Sequence, residues 1–152
     1  FLADCGTVED WGTGAGGFKR FRPDAIGIDG SVTPHADKIA NLEEYKSEVD
    51  GIFIRHVLEH NRNWKAILRN ALASARSKLA IVTFVPLKAG RTEEWFDGTR
   101  QNKENGVDVR NLSLSKEDMM NIIVASGAVG LSVESVHSNT AYGSETIICV
   151  TK

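Results

Sequence analysis

The sequence has few of the features that mark disulfide-rich, membrane-spanning or nucleic-acid-binding proteins. Its 152 residues include two cysteines, Cys5 and Cys149, which predict free thiols in a reducing cytoplasm rather than a disulfide framework. The longest apolar run, Leu79 to Val85 with Thr83 inside it, is far too short to span a membrane. Eighteen Lys and Arg against 20 Asp and Glu give a net charge of −2, which argues against a nucleic-acid partner.

The residues that are present have the composition of a globular domain. Hydrophobic residues make up 41% of the chain and charged residues 25%. A chain of this length buries about 68–70% of its unfolded surface, so it needs no covalent cross-links. We therefore expect one domain spanning residues 1–152, located in the cytoplasm. No signal peptide is recognisable, and the start at Phe1 rather than Met is consistent with a trimmed N-terminus.

Strand and helix patterns alternate along the chain. The segments typical of strands are Thr7–Asp10, Ala25–Asp29, Lys38–Leu42, Val49–Ile54, Leu79–Val85, Leu131–His137 and Thr146–Thr151. The predicted helices are 18–21, 64–75 with Asn61 or Asn63 as its cap, and a third that runs from the cap Ser115 to the stop signal Gly127. The pattern predicts an α/β fold with a mostly parallel sheet, helices on both faces and an antiparallel C-terminal pair.

A glycine-rich turn follows the first predicted strand. Gly12, Gly14 and Gly16 alternate directly after Asp10. Glycine lets the backbone approach a ligand closely, and open α/β sheets bind nucleotides at the carboxyl end of the first strand. Asp29 ends the second predicted strand, where its carboxylate can accept both hydroxyls of a ribose. The two features together predict a nucleoside site.

Two ligand classes fit this turn. Gly12, Gly14 and Gly17 satisfy G-x-G-x-x-G, the fingerprint in which a pyrophosphate lies on a helix N-terminus. The carboxylate of Asp10 would repel a pyrophosphate but can hold a cationic group. The helix that follows ends before Pro23 and is too short to bind phosphate well. The sequence therefore favours a cationic nucleoside such as S-adenosylmethionine over NAD.

With these residues in place, the chain resembles the class I S-adenosylmethionine-dependent methyltransferases. Residues 10–16 match the first motif of that family, acid-x-Gly-x-Gly-x-Gly, and Asp29 matches its ribose-binding acid. Residues 49–60 are similar to the fourth strand and "HVLEH" segment of the branch that methylates small molecules and sugars. The resemblance implies a three-layer, Rossmann-like methyltransferase sheet with S-adenosylmethionine as cofactor. The cofactor-binding residues that it implies are Asp10, Trp11, Gly12, Thr13, Gly14, Gly16, Asp29, Gly30, Asn41, Leu42, Arg55 and His56.

The segment His56-Val57-Leu58-Glu59-His60 also spells H-x-x-E-H, the inverted zinc-peptidase signature. It follows a buried strand directly instead of lying within a long helix, and a zinc site would leave the glycine turn and Asp29 unexplained. We therefore expect no metal. As part of a methyltransferase, His56 or His60 is the candidate general base, because a neutral imidazole near pH 7 suits proton removal.

The resemblance implies an enzyme that transfers a methyl group to a small-molecule or sugar acceptor, with oxygen as the expected acceptor atom. The predicted substrate-binding residues are Glu59, His60, Arg91, Trp95, Arg110 and Asn111, the last four within the polar segment 87–113. Two alternatives stay open, an NAD(P)-binding oxidoreductase domain and a non-catalytic S-adenosylmethionine-binding domain. The connection between the second and third predicted strands, residues 29–39, is too short for a full helix. This shortened connection favours the non-catalytic S-adenosylmethionine-binding domain among the two alternatives.

Overall fold

The computed structural model describes residues 1–95, 103–104, 107–108, 111–139 and 143–152. The strands are β1 (Val8–Trp11), β2 (Ile26–Asp29), β3 (Lys38–Ile39), β4 (Val49–Arg55), β5 (Ala75–Thr83), β6 (Glu93–Trp95), β7 (Lys103–Glu104), β8 (Val107–Asp108), β9 (Asn111–Ser113), β10 (Gly130–His137) and β11 (Ser144–Thr151). The α-helices are α1 (Trp64–Ser74) and α2 (Lys116–Ala125), and 3₁₀ turns lie at Phe18–Arg20 and Leu58–His60.

Seven of these strands form one sheet in the order β10-β11-β5-β4-β1-β2-β3. Five neighbouring strands run parallel to one another: β5, β4, β1, β2 and β3. Strand β11 is antiparallel to both of its neighbours, β5 and β10. The apolar sequences of β4 and β5 suit central strands that are covered on both faces. The predicted mostly parallel sheet with an antiparallel C-terminal pair is confirmed.

The larger core lies between one face of the sheet and both α-helices. Alternate residues of β4 and β5 project into it because side chains along a strand point to opposite faces. The helix α1 presents one buried stripe to this face, as its 3.6-residue periodicity predicts. The fully buried side chains of the stripe are Trp64, Ile67, Leu68, Ala71 and Leu72.

Asn63 occupies the N-cap position of α1, as one of the two predicted candidates, but it makes no side-chain capping bond. Asn63 precedes the helix, but its side-chain amide donates to Glu43 Oε2 at 2.7 Å instead of bonding the first turn. Asn61 donates to the carbonyl of Val57 at 2.6 Å. Both side chains fix the preceding segment, and α1 starts without a side-chain cap.

The opposite face of the sheet carries much less structure than the sequence predicts. Its core consists of Leu2, Cys5, Val8 and Ala80, with the stacked rings of Phe18 and Phe53 beside it at a centroid distance of 4.2 Å. Helices on both faces were expected, but within the described residues both α-helices pack on the other face. The segment between the glycine turn and Pro23 forms one 3₁₀ turn, since so few residues separate these two helix-breaking features.

The polar segment 87–113, to which the sequence assigns neither strand nor helix, contains four short strands among its described residues. Glu93–Trp95 pairs with Asn111–Ser113 and Lys103–Glu104 with Val107–Asp108, both antiparallel. The first ribbon lies against the turn at Leu58–His60. The helix α2 then starts as predicted, since Ser115 Oγ accepts the backbone N–H of Asp118 at 3.1 Å.

Within the described residues, the helices are too short or too polar to cross a membrane. Cys5 and Cys149 are both free thiols, in agreement with the sequence. The cytoplasmic location stays a prediction.

Candidate functional site

A cavity of about 830 Å³ opens at the carboxyl ends of β1, β2 and β4. This is the edge of an open α/β sheet where ligands bind, beside the point at which the strand order reverses between β1 and β4. Its volume lies within the roughly 300–1,000 Å³ of small-molecule pockets. The predicted residues that line it are Asp10, Gly12, Thr13, Gly14, Asp29, Gly30, Asn41, Leu42, Arg55, His56 and His60.

The glycine turn forms one wall of the cavity and depends on the absence of side chains. Gly12 has φ of +78°, and a Cβ there would lie 2.2 Å from Val57 Cγ2. Gly14 has φ of +46°, and a Cβ there would meet no atom closer than 3.9 Å. The turn therefore packs tightly against Val57 on one side and leaves open space on the other.

Asp29 connects the glycine turn to the end of β2. Its Oδ2 accepts the backbone N–H of Gly14 at 2.9 Å, and its Oδ1 accepts that of Ser31 at 2.9 Å. These two bonds hold the carboxylate at the cavity wall. Each carboxylate oxygen has a second lone pair with which to accept a ligand hydroxyl.

Asp10 places a buried carboxyl group in the cavity wall. The residue is 3% exposed, and within the described chain no basic side chain forms an ion pair with it. Burial raises the pKa of this carboxyl to about 6; the nearby Thr13 hydroxyl and the charge of Lys19 lower it by a smaller amount. A bound cation would therefore relieve an unfavourable buried charge here.

Trp11 does not contribute its side chain to the cavity, contrary to the prediction. The strand alternates sides, so Trp11 points into the helical-face core, where it is fully buried. Its Nε1 donates to Glu9 Oε2 at 2.7 Å. Tyr45 and Ser47 also donate to Glu9, at 3.0 and 2.7 Å. These bonds explain how a glutamate occupies an interior position of β1.

A histidine-rich cluster follows β4 at another side of the cavity. His56 Nε2 lies 2.8 Å from Glu145 Oε1, and Arg55 Nη2 donates to the same oxygen at 2.7 Å. The rings of His56 and His60 both contact Phe84, at centroid distances of 5.3 and 5.4 Å. Burial and the charge of Arg55 lower the pKa of His56, and Glu145 partly offsets them. His56 is therefore neutral at pH 7.

Glu59 lies behind this cluster and is fully buried. It does not line the cavity, so its position does not support the predicted contact of Glu59 with substrate. Its Oε1 accepts the backbone N–H of Phe84 at 3.1 Å, while its Oε2 is buried without a hydrogen-bond partner in the described part of the chain. Burial raises the pKa of this carboxyl to about 7.

Among the residues that the structure describes, no group of three or more His, Cys, Asp or Glu side chains is arranged to bind a metal ion.

The remaining predicted residues lie apart from the cavity lining. Gly16 shapes the turn, since a Cβ there would lie 2.4 Å from the His35 ring. Arg91 is exposed, and Arg110 lies outside the described residues. Trp95 and Asn111 face each other across the β6–β9 pair, and the Trp95 Nε1 and Asn111 Oδ1 atoms are both buried without partners in the described ranges.

Sequence reasoning missed Glu145 and the apolar part of the wall. Phe18, Phe53, Val57 and Ile67 line the cavity, and Phe53 has a signal in the sequence because it alternates with the core residues of β4. Glu145 has no such signal, because 89 positions separate it from His56. The contact exists only once β11 runs antiparallel beside β5.

No family model matches the chain, and no curated protein matches its sequence. Solved structures do match its fold. The 1,6-didemethyltoxoflavin N1-methyltransferase of Burkholderia thailandensis, crystallised with S-adenosylhomocysteine, has a TM-score of 0.69 at 14% identity, over 96% of this chain and 70% of that one. Magnesium protoporphyrin IX methyltransferase from Synechocystis PCC 6803 has a TM-score of 0.62 at 15% identity, over 96% and 74%.

A third match is an S-adenosylmethionine-dependent methyltransferase from Mesorhizobium loti, with a TM-score of 0.64 at 13% identity, over 96% of this chain and 90% of that one. The fold is that of the class I methyltransferases. At these identities the likeness establishes the arrangement of the sheet, and the chemistry has to be argued from the residues of this chain.

Proposed function

We propose that this chain binds S-adenosylmethionine and transfers its methyl group to a hydroxyl of a small molecule or sugar. The observation that carries the proposal is the buried Asp10 carboxyl, which faces a nucleoside-sized cavity without a cationic partner among the described residues. A cavity that presents a desolvated carboxylate selects a ligand that carries positive charge.

The residues around the cavity fit this cofactor group by group. Asp10 would hold the ammonium of its amino-acid portion, and Asp29 would accept the ribose hydroxyls. Asn41 and Leu42 would contact the adenine, and the open side of Gly14 allows close approach of the ligand to the backbone. When bound, S-adenosylmethionine supplies a methyl group already activated by its sulfonium.

The alternative dinucleotide ligand fits less well. A pyrophosphate needs a helix N-terminus, and the turn after the glycines is a 3₁₀ helix of three residues. The Asp10 carboxylate would also repel its negative charge. Both observations favour S-adenosylmethionine over NAD(P) as the ligand of the cavity.

Two histidines are available to accept the proton of an acceptor hydroxyl. His56 and His60 both line the cavity, and the lowered pKa of His56 keeps its imidazole in the basic form at neutral pH. We keep Trp95 and Asn111 as proposed substrate contacts, because the β6–β9 ribbon that carries them packs against the turn Leu58–His60 beside the cavity. Toxoflavin-precursor and porphyrin methyltransferases share the fold, which supports a small-molecule acceptor.

The proposal is tested by methyl transfer from labelled S-adenosylmethionine to a panel of sugars and hydroxylated small molecules, with products identified by mass spectrometry. The expected result is labelled methyl ether with at least one acceptor, lost in His56→Asn if His56 is the base. Arg76→Ala, an exposed arginine at the N-terminal end of β5, is the surface control and should keep the wild-type activity. Binding of S-adenosylhomocysteine without transfer to any acceptor would favour the non-catalytic binding domain.

A further inference from the structure

The loop between β3 and β4, residues 41–47, is polar but makes many hydrogen bonds to neighbouring elements. Asn41 and Leu42 at its start line the cavity, and Leu42 is 7% exposed. The other residues of the loop are Glu43, Glu44, Tyr45, Lys46 and Ser47. So polar a segment buries little apolar surface of its own, and hydrogen bonds have to hold its shape.

One side chain of α1 holds the first half of the loop. Asn70 Nδ2 donates to the carbonyl of Leu42 at 3.1 Å and to the carbonyl of Glu43 at 2.8 Å. An amide nitrogen carries two protons, so both donors of Asn70 are engaged. Asn63 adds a bond from its own amide to Glu43 Oε2 at 2.7 Å. Two consecutive peptide groups directly after Leu42 are therefore fixed to the helix.

The second half of the loop is held from β1 by the buried side chain of Glu9. Tyr45 Oη donates to Glu9 Oε1 at 3.0 Å, and Ser47 Oγ donates to Glu9 Oε2 at 2.7 Å. Burial and the neighbouring Glu9 raise the pKa of Tyr45 to about 12, so the Tyr45 hydroxyl keeps its proton and is the donor. Glu9 is 4% exposed, and a hydrogen bond shielded from water is electrostatically stronger.

The sheet itself does not require a carboxylate at this position. Glu9 and Trp11 alternate on the face of β1 that packs against the helices, where an apolar side chain would be buried equally well. Replacing buried hydrogen-bonded partners by apolar groups of the same shape is often neutral for stability. The bonds of Glu9 are therefore better explained by the position they give to the loop.

We propose that Asn70 and Glu9 are positioning residues for the base of the ligand: they hold the 41–47 loop in the shape in which Asn41 and Leu42 form the wall that contacts adenine. This inference rests on the proposed binding of S-adenosylmethionine. Neither Asn70 nor Glu9 lines the cavity, so each acts through the loop. A loop that is ordered before the ligand arrives spares the binding step the entropic cost of ordering it.

Hydrogen exchange in the ligand-free protein tests the positioning itself. The amides of Glu44, Tyr45 and Ser47 are hydrogen-bonded in the wild type. Asn70→Ala should speed their exchange and leave that of β4 and β5 unchanged. Asn121→Ala is the matched control, because it removes the same side chain from an exposed position of α2 and should change neither. Unchanged exchange of the loop in Asn70→Ala would overturn the inference.

Calorimetry with S-adenosylhomocysteine and 5′-methylthioadenosine tests the effect on the ligand, at a temperature where circular dichroism shows every variant folded. Asn70→Ala should weaken both ligands about 5- to 30-fold, because both contain adenine and one or two neutral hydrogen bonds correspond to this factor. Tyr45→Phe keeps the ring and removes only the donor to Glu9, so it should weaken both ligands by a smaller factor. Asn121→Ala should leave both Kd values unchanged.

The possible results separate a positioning role from a structural one. If Asn70 only stabilised the fold, Asn70→Ala would lower Tm and leave both Kd values unchanged, and that result would overturn the inference. A loss confined to S-adenosylhomocysteine would locate the effect at the amino-acid portion and would overturn it as well. If the wild type binds neither ligand, the proposed binding of S-adenosylmethionine is contradicted. If the wild type binds both and the variants bind equally well, only the positioning role is contradicted.

Discussion

Replacing Asp10 by asparagine should stabilise the fold at neutral pH while weakening cofactor binding. Burial raises the pKa of this carboxyl from 3.8 to about 6. The folded state therefore binds a proton more tightly than the unfolded chain, and stability falls as the pH rises between these two values. Above about pH 6 the full penalty of the buried charge is present, and asparagine carries no such penalty.

The size of the effect follows from the two pKa values. The difference, at 1.36 kcal/mol for each pH unit, corresponds to about 3 kcal/mol at pH 7. Burying the amide of asparagine offsets part of this gain, so an increase of about 1–3 kcal/mol is expected. For a chain of this length that is a rise in Tm of about 2–12 °C. At pH 4 the gain should vanish, because Asp10 is then protonated in the folded protein.

Thermal unfolding followed by circular dichroism between pH 4 and pH 8 measures this dependence. Asp24→Asn is the matched control, because Asp24 is exposed and pairs with Arg22. Arg22 lowers the pKa of Asp24, so this substitution should not stabilise the protein at pH 7. If Asp10→Asn destabilises the fold equally at pH 4 and pH 7, the buried-charge reasoning is wrong.

Ligand binding by the same variant tests the role of the charge. Losing a hydrogen bond between charged groups costs about 1.5–3 kcal/mol, so the affinity for S-adenosylhomocysteine should fall about 10- to 150-fold. The affinity for 5′-methylthioadenosine, which lacks the amino-acid portion, should stay the same. Equal losses for both ligands would contradict the assignment of Asp10 to the ammonium.

Two further substitutions test the local structure. Gly12→Ala should destabilise the protein by about 1–2 kcal/mol or more and weaken cofactor binding, because its Cβ would lie 2.2 Å from Val57 Cγ2 at a positive φ. Gly17→Ala, whose Cβ would meet nothing within 4 Å, is the control, and equal effects in chemical denaturation would refute the argument. Ser115→Ala should lower the free energy of unfolding by about 1 kcal/mol through loss of the bond from the Asp118 N–H, and an unchanged denaturation midpoint would exclude this cap.

Local patterns predicted the parts of the fold that depend on neighbours in the sequence. The apolar stripe of α1, the Ser115 cap of α2 and the glycine turn before the 3₁₀ segment are all short-range features. The expected helical layer on the second face was wrong because a count of strands and helices does not say which face a helix covers. Asn63 is the N-cap residue, but the expected capping bond is missing because the amides of Asn61 and Asn63 both bind groups outside α1.

The residues of the candidate site likewise fall into two groups, those that sequence spacing predicts and those that only strand pairing brings together. Asp10, Gly12 and Asp29 lie in two adjacent strands and the turn between them, so spacing alone predicts their approach to one cavity. Glu145 reaches His56 only through the antiparallel register of β11, which no short motif encodes. The placement of Trp95 opposite Asn111 likewise depends on the pairing of β6 with β9.

The central claim is that the cavity binds S-adenosylmethionine, and a thermal-shift panel on the wild-type protein tests it most directly. The panel compares S-adenosylmethionine, S-adenosylhomocysteine, NAD⁺, NADP⁺ and Zn²⁺. A ligand at 100 times its Kd stabilises the folded state by about 2.7 kcal/mol, which is several degrees at this chain length. The account predicts a rise in Tm with the two S-adenosyl compounds alone. A rise with NAD⁺ or NADP⁺ and none with either S-adenosyl compound would contradict it.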